Sequence, residues 1–524
     1  MSIVKPLTKI LKDRRISALL LVLGVGAYLR LWNVKHLFKW IYDYDEGACS
    51  MGARFISQGY LPYQDFTLVH PPFYQVVLAS IYKVFGYNFF YGRYLSVFLF
   101  LVSVVLSYLI VRKLYNSSAG LVASALFVVF PGLSLLSYRV VQEPLGILLI
   151  LLAVFFATDY IMRGERTNRL LLSGLCLGFA LATKYTFAPA VIAFTVAIAI
   201  LTMEGRWPRL RSILLAFCSR ELWFLVSGIM LGFLLVTGFF IAMSPHEFLA
   251  QTMLSQFDYR VGGGLHSAVA RILRFPSGGL SDTISTLCLF VPILVLVVLL
   301  IKRDYCRRNR FLLTVLLVSL PMCASFNPFG EMRYFVSAFI FTLLAIAAFT
   351  PAMDAKMLSS RLTVQTIRSN AGFIAILLLL LVFTSGVLAL HQGYSYTGSG
   401  GPTYEESVYK EAVDYLEQVG AKKVYALNPI IPALSPKLSS TLEFDTFGLL
   451  FPMKQLPETI VKERLAEGVD YMVIDAFGGL LAFKSEIGQL VQEIQKNGTL
   501  VKAIVPEVPI LGVTIYKVGN IPSP

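Results

Sequence analysis

The chain has 524 residues, is 56% hydrophobic and only 15% charged, and carries 45 Lys and Arg against 31 Asp and Glu for a formal net charge of +14. A soluble globular protein is nearer half apolar and a quarter charged, which excludes an ordinary soluble domain. The basic residues sit in short loops between apolar runs, without the interleaved aromatic residues of a single-strand groove, so the positive charge does not point to nucleic acid.

The apolar residues fall in runs of roughly 18–20, the length that crosses a hydrocarbon core of about 30 Å. In chain order they predict eleven transmembrane helices, at 16–34, 93–111, 118–136, 144–162, 169–183, 185–203, 222–243, 283–301, 311–326, 333–350 and 371–390. The first is read as a retained span, because its apolar stretch is long and lacks a small-residue cleavage site. Basic segments at Lys5 to Arg15, Arg112–Lys113, Arg163 to Arg169, Arg206 to Arg220, Lys302 to Arg310 and Lys356 to Arg368 then all lie on one side, which the positive-inside rule makes cytoplasmic. The long loop 35–92 falls outside, and its apolar stretches near 47–58 and 72–86, too short to cross, read as helices along the membrane surface. A second external loop covers about 244–282, and at Lys184 two spans are joined by almost nothing. The six cysteines are scattered singly and predict no disulfide framework.

After residue 391 the composition changes. A turn-forming SYTGSGGPTY segment leads into a helical pattern at 405–419, β-rich runs at 423–427, 471–474, 500–504 and 513–518, and a further helical pattern at 484–496. This alternation predicts a small α/β soluble domain over 391–524, outside the membrane by parity, beside a membrane core over 1–390.

The segment Tyr42-Asp43-Tyr44-Asp45-Glu46-Gly47 places three carboxylates within four residues at the exit of the first span, with Arg54 and His70-Pro71-Pro72 following. A solvated loop face is the plain reading. A carboxylate held at the bilayer surface could instead act as a general base toward a hydroxyl, or Asp45 and Glu46 could hold a divalent cation such as Mg or Mn, although nothing resembles a full ligand set. Four basic residues break the positive-inside pattern: Arg93, Arg139, Lys184 and Arg333 stand at external ends of spans. Snorkelling would account for any one of them. Lys184, inside a nearly continuous apolar stretch, is costly unless it meets an anion.

These features form an ordered series. An acidic pair follows the first span, then an Arg, a His-Pro-Pro, Gly92-Arg93-Tyr94, Gln142-Glu143-Pro144, Ala182-Thr183-Lys184 and Arg333-Tyr334. Over about residues 16–350 the series resembles the family of membrane glycosyltransferases that includes the protein O-mannosyltransferases and the aminoarabinose transferases of lipid A. The resemblance implies a polytopic α-helical, GT-C-like fold and an inverting transfer of a sugar from a polyprenyl-phosphate carrier to an acceptor protein, lipid or glycan. Asp45 and Glu46 match the family's acidic pair, Asp45 as the expected base, and Arg93 matches a basic residue associated with the same loop. Gln142-Glu143 departs from the pattern, since many relatives carry Asp there. Asp43, Arg54, His70, Arg93, Arg139, Glu143, Lys184, Arg333 and Tyr334 make up the expected substrate-binding set, with Lys184, Arg93 and Arg333 holding the departing phosphate. The expected location is a cell membrane, multi-pass, with the site and the α/β domain extracytoplasmic. A transporter or lipid flippase is the competing class, and would carry charged or broken helices at mid-membrane depth and an inverted repeat. A non-catalytic scaffold is the other.

Overall fold

The computed structural model of the chain describes residues 14–36, 44–203, 218–254, 280–302, 306–325, 332–346, 406–450, 453–475, 485–505 and 512–518. The chain is a polytopic helical membrane protein with a small mixed sheet near its C-terminal end. Its described membrane helices are α1 (Arg14–His36), α4 (Phe89–Leu114), α5 (Ser117–Val129), α6 (Glu143–Arg163), α7 (Arg169–Thr183), α8 (Ala188–Thr202), α9 (Arg220–Met243), α10 (Leu280–Lys302), α11 (Arg307–Ser325) and α12 (Val336–Ile346). Between the first two of these lie α2 (Tyr44–Ser57) and α3 (Phe73–Phe85), helical where the sequence predicts surface helices.

Five described segments are long and apolar enough to cross a membrane: Arg15–Trp32, Phe89–Leu114, Glu143–Arg163, Tyr185–Thr202 and Arg220–Met243. The expected span at 118–136 is shorter than predicted, because α5 stops at Val129 and Pro131 starts a separate turn of helix. The expected span 371–390, the segment 391–405 and Asp43 lie outside the described residues.

Packing in the bundle explains two sequence features. Helices α7 and α9 meet through Gly174 and Gly178 on one side and Gly228 and Gly232 on the other. A Cβ on Gly174 would sit 2.0 Å from the Leu225 carbonyl oxygen, and one on Gly228 would sit 2.2 Å from that of Leu171. Only small residues let two backbones approach this closely, the usual device of helix association in lipid. Arg30, fully buried in α1, spends its charge on neighbours: Nε donates to Ser137 Oγ (2.9 Å), Nη2 to the Val128 carbonyl (2.6 Å), and the guanidinium stacks on Phe100. It is a staple across the bundle.

At the C-terminal end, α13 (Glu406–Gln418), β1 (Lys423–Ala426), β2 (Ser439–Ser440), α14 (Pro457–Ala466), β3 (Tyr471–Ile474), α15 (Ser485–Asn497), β4 (Gly498–Ile504) and β5 (Val513–Val518) form an α/β unit. The sheet order is β2-β1-β3-β5-β4, parallel over β2, β1 and β3 and antiparallel over β3, β5 and β4. Alternation along the strands sends Tyr425, Met472, Ile474 and Tyr516 to one face, where they pack with Ile460, Leu490 and Ile494. Val424, Ala426, Val473 and Ile515 go to the other, which is continuous with Leu416 and Ala412 of α13 and with α2. Both faces are covered, so α2 serves as the bed on which the unit rests. The sequence reading missed α14, whose apolar positions are too few to stand out.

Candidate active site

The site is assembled at one end of the bundle. Asp45 and Glu46 are in the first turn of α2, where unpaired N–H groups and the helix dipole favour anions. Adjacent in sequence, they face different ways. Glu46, fully buried, takes two bonds from Arg93 of α4 (Nε to Oε2 and Nη2 to Oε1, both 2.9 Å) and one from the Val140 N–H (2.9 Å). This bidentate pair ties α2 to α4 and to the turn ahead of α6. Asp45 turns instead toward Arg333, whose Nη1 donates to Asp45 Oδ2.

Lys184 stands where α7 stops. Its backbone is extended (φ −163°, ψ 135°) and a 3-10 turn, Tyr185–Phe187, follows before α8. This break explains how a lysine fits an apolar stretch: its Nζ leaves the helix and donates to Glu143 Oε1 at 2.9 Å, with the two side chains 6% and 2% exposed. Glu143 opens α6, with Pro144 beside it. Asp45 sits within electrostatic reach of Arg333, Lys184 and His70 together. Burial would raise its carboxyl, but Arg333 first, then Lys184 and His70, outweigh that and hold it at about 2. His70 is placed by its own loop, its carbonyl accepting from Tyr63 Oη at 2.7 Å. Tyr334 packs under the Arg333 guanidinium, 5.7 Å from ring centre to Cζ.

Asp45, His70, Glu143, Lys184, Arg333 and Tyr334 therefore form one cluster from four distant stretches of chain. Three expected members are elsewhere. Arg93 is committed to Glu46. Arg139 is buried in the turn that supplies Val140, its carbonyl held by Ser96 Oγ at 2.5 Å. Arg54 is corrected outright: it faces away from Asp45 and grips a loop of the α/β unit, Nη1 donating to the carbonyls of Leu438 (2.9 Å) and Ser435 (3.2 Å) and Nη2 to that of Pro436 (3.0 Å). Its long side chain reaches across an interface that the sequence could not reveal.

The sequence reading also missed a second acidic pair, Glu443 and Asp445, on the loop after β2. Glu443 accepts the Thr67 N–H on both oxygens (3.0 Å each). Asp445 Oδ1 accepts from Tyr44 Oη and from the Gly448 N–H, both at 2.9 Å. Burial pushes both carboxyls up from their ordinary values, and Asp45 adds to this at Asp445. Gln142 Nε2 is a buried donor with no hydrogen-bond partner among the described residues, next to Glu143. A buried donor left without any partner would cost about 1–3 kcal/mol.

Glu46 does not complete a ligand set with Asp45, since its oxygens are taken by Arg93. Among the described residues no group of three or more His, Cys, Asp or Glu could hold a metal ion. Among the described residues, Asp45 and Glu46 therefore share no donor set for the divalent cation that the sequence left open.

Residues 69–224 match the model of the Dolichyl-phosphate-mannose-protein mannosyltransferase family. No curated protein matches the chain by sequence. Among solved structures the chain is similar to ArnT from Cupriavidus metallidurans in the apo state, at 14% identity and a TM-score of 0.56, covering 96% of this chain and 98% of that one. The same enzyme bound to undecaprenyl phosphate matches at 15% identity, TM-score 0.56, over 96% and 99%. The Archaeoglobus fulgidus oligosaccharyltransferase in the apo form matches at 12% identity, TM-score 0.54, over 98% and 75%. Likenesses at this identity establish a shared fold, the GT-C-like one that the sequence predicts.

Proposed function

We propose that the chain is an inverting glycosyltransferase that moves a sugar from a polyprenyl-phosphate carrier to an acceptor on the extracytoplasmic face, with the α/β domain of residues 391–524 on that same side. The observation that carries this reading is one carboxylate, Asp45, facing two cations, Arg333 and Lys184, at a single end of a membrane bundle. The family match and the likeness to an enzyme bound to undecaprenyl phosphate support it. A transporter is less favoured: among the described residues the ionisable groups gather at the ends of the helices, and the buried exception, Arg30, is spent on structure.

Before donor binds, both cations are neutralised by protein, Arg333 by Asp45 and Lys184 by Glu143. The donor phosphate is a stronger anionic partner at the same place, and draws both cations toward itself. Asp45 then loses the charge that held its affinity for protons down, and becomes a better base at the moment the donor is in place. The acceptor oxygen attacks the anomeric carbon while its proton passes to Asp45. The bond from that carbon to the phosphate oxygen breaks, and the electron pair leaves with the polyprenyl phosphate. Lys184 and Arg333 stabilise the growing negative charge on that group. One displacement inverts the configuration. Glu46 positions Asp45 through Arg93, and Gln142 supplies a free donor to the headgroup.

The test is Asp45→Asn in purified protein supplied with polyprenyl-phosphate sugar. Transfer is expected to fall about a thousandfold, within the range of general-base catalysis, while insertion stays normal and the thermal midpoint falls only by the share that the Asp45 charge contributes. Full transfer by this variant would remove Asp45 from the chemistry. Mass analysis of glycans from cells lacking the protein identifies the sugar and the acceptor.

A further inference from the structure

Asp45 and His70 belong to the membrane core, yet the backbone around them is gripped from the α/β unit. Tyr44, one residue before Asp45, donates to Asp445 at 2.9 Å. Gly47, two residues after it, lies so close to the same unit that a Cβ would meet the Ile430 nitrogen at 2.3 Å. Thr67, three residues before His70, gives its N–H to Glu443. The loop carrying both acids is itself closed: Gly448 donates back to Asp445, and a Cβ there would meet Asp445 Oδ2 at 2.7 Å and Val69 Cγ1 at 2.8 Å. Arg54 fastens the far end of α2 to the Ser435–Leu438 carbonyls. A first helical turn has no intrahelical acceptors for its N–H groups and frays unless tied down. A reacting group, in contrast, must be held to within about half an ångström.

We propose that Asp445 and Glu443 are positioning residues for the reaction at Asp45. Asp445 fixes the first turn of α2, and with it Asp45, through Tyr44; Glu443 fixes the loop leading to His70 through Thr67. The α/β unit is then a structural half of the active site. This inference takes its kinetic consequence from the transferase reading, but its structural part stands without it.

The test uses full-length protein in lipid nanodiscs and hydrogen–deuterium exchange read by mass spectrometry. Asp445→Ala and Tyr44→Phe are each expected to speed exchange in peptides covering 44–57 about tenfold, the scale of one lost hydrogen bond. Glu443→Ala is expected to do the same for peptides covering 61–70 and to leave 44–57 alone. Asp445→Asn keeps an acceptor oxygen for Tyr44 and Gly448 and should exchange like wild type. Tyr44→Phe, which removes one part-buried hydroxyl and leaves the hydrophobic core of the α/β unit intact, guards against simple unfolding. In turnover, Tyr44→Phe should lower kcat about tenfold, with affinity for undecaprenyl phosphate, the probe, unchanged. Wild-type exchange in all three disruptive variants would overturn the proposal, as would Asp445→Asn behaving like Asp445→Ala. Should the wild-type protein neither bind undecaprenyl phosphate nor transfer sugar, the transferase reading falls while the exchange data still decide the positioning claim.

Discussion

Both ends of the helical bundle gather cations around acids, and the two ends are built on different principles. At one end Asp159 of α6 meets Lys113 (2.6 Å), Arg169 (3.0 Å) and Arg166 (3.1 Å), whose side chains are 38%, 40% and 54% exposed. Close by, Arg308 donates to the Leu114 carbonyl and Arg307 to those of Tyr160 and Leu201, so cations also satisfy the ends of α4, α6 and the Leu201 turn of α8. Such solvated pairs contribute about 0–1 kcal/mol each, and their sign is what orientation in a membrane requires. At the other end Arg93–Glu46 and Lys184–Glu143 are almost wholly buried. Buried pairs recover their desolvation cost poorly, so stability alone does not explain them. The contrast is the one expected if the exposed charges orient the protein and the buried ones serve the proposed chemistry.

That contrast is broken most severely at Lys184. Lys184→Met leaves Glu143 buried without its cation, an arrangement that destabilises by about 3–5 kcal/mol, read as a fall in the thermal midpoint in detergent. Transfer is expected to drop by about a thousandfold, because the departing phosphate loses a cation. The double variant Lys184→Met with Glu143→Gln should recover much of the stability and none of the transfer. Recovery of both would reduce Lys184 to a structural role.

Arg333→Gln sharpens the comparison through pH. The ordinary aspartate value is 3.8, and Arg333 is the leading reason Asp45 sits at about 2. A depressed carboxyl stays charged, and contributes stability, at every pH above 3.8; that contribution fades only as pH falls toward 2. Without Arg333 the value rises, so protonation begins at higher pH. An acid limb in the pH profile of kcat/KM, which reports the free enzyme with the pair intact, should therefore move upward, on top of a rate loss of about a hundredfold from the missing phosphate partner. An unshifted acid limb would mean that the Arg333–Asp45 pair does not set the base.

Much of this was legible in the sequence. Runs of apolar residues located ten of the eleven expected spans on described helices, and alternation located β1, β3, β4, β5, α13 and α15 within a few residues. These signals are periodic and local. Asp45, Glu143, Lys184 and Arg333, which the structure gathers at one end of the bundle, stood out in the sequence because a charge beside an apolar run is conspicuous. What each residue touches was not. Glu46 and Asp45 are indistinguishable in a string, yet helix geometry aims neighbours about 100° apart, which hands one to Arg93 and the other to Arg333. Arg54 looked like a site residue because it follows the acidic pair; the carbonyls it grips lie some 380 residues away in the chain. Glu443 and Asp445 gave no signal, since two acids on a polar loop are what any surface contains.

The mildest test lies at the opposite end of the bundle, and its value is that nothing should happen. Asp159→Asn removes a carboxylate from three half-exposed cations. Those cations lose an attractive partner but remain solvated, so the expected change is below about 1 kcal/mol, and transfer should equal wild type. A like-sized polar group remains in place, which keeps the packing of α6 intact. The informative comparison is with salt: the small effect of Asp159→Asn should vanish as ionic strength rises and exposed charges are screened, whereas the Lys184→Met defect, at a buried ion pair, should persist. A loss of transfer in Asp159→Asn would join the two ends functionally, through the shared helix α6 that carries Glu143 at its start and Asp159 near its finish, and would dissolve the division between charges that orient and charges that work.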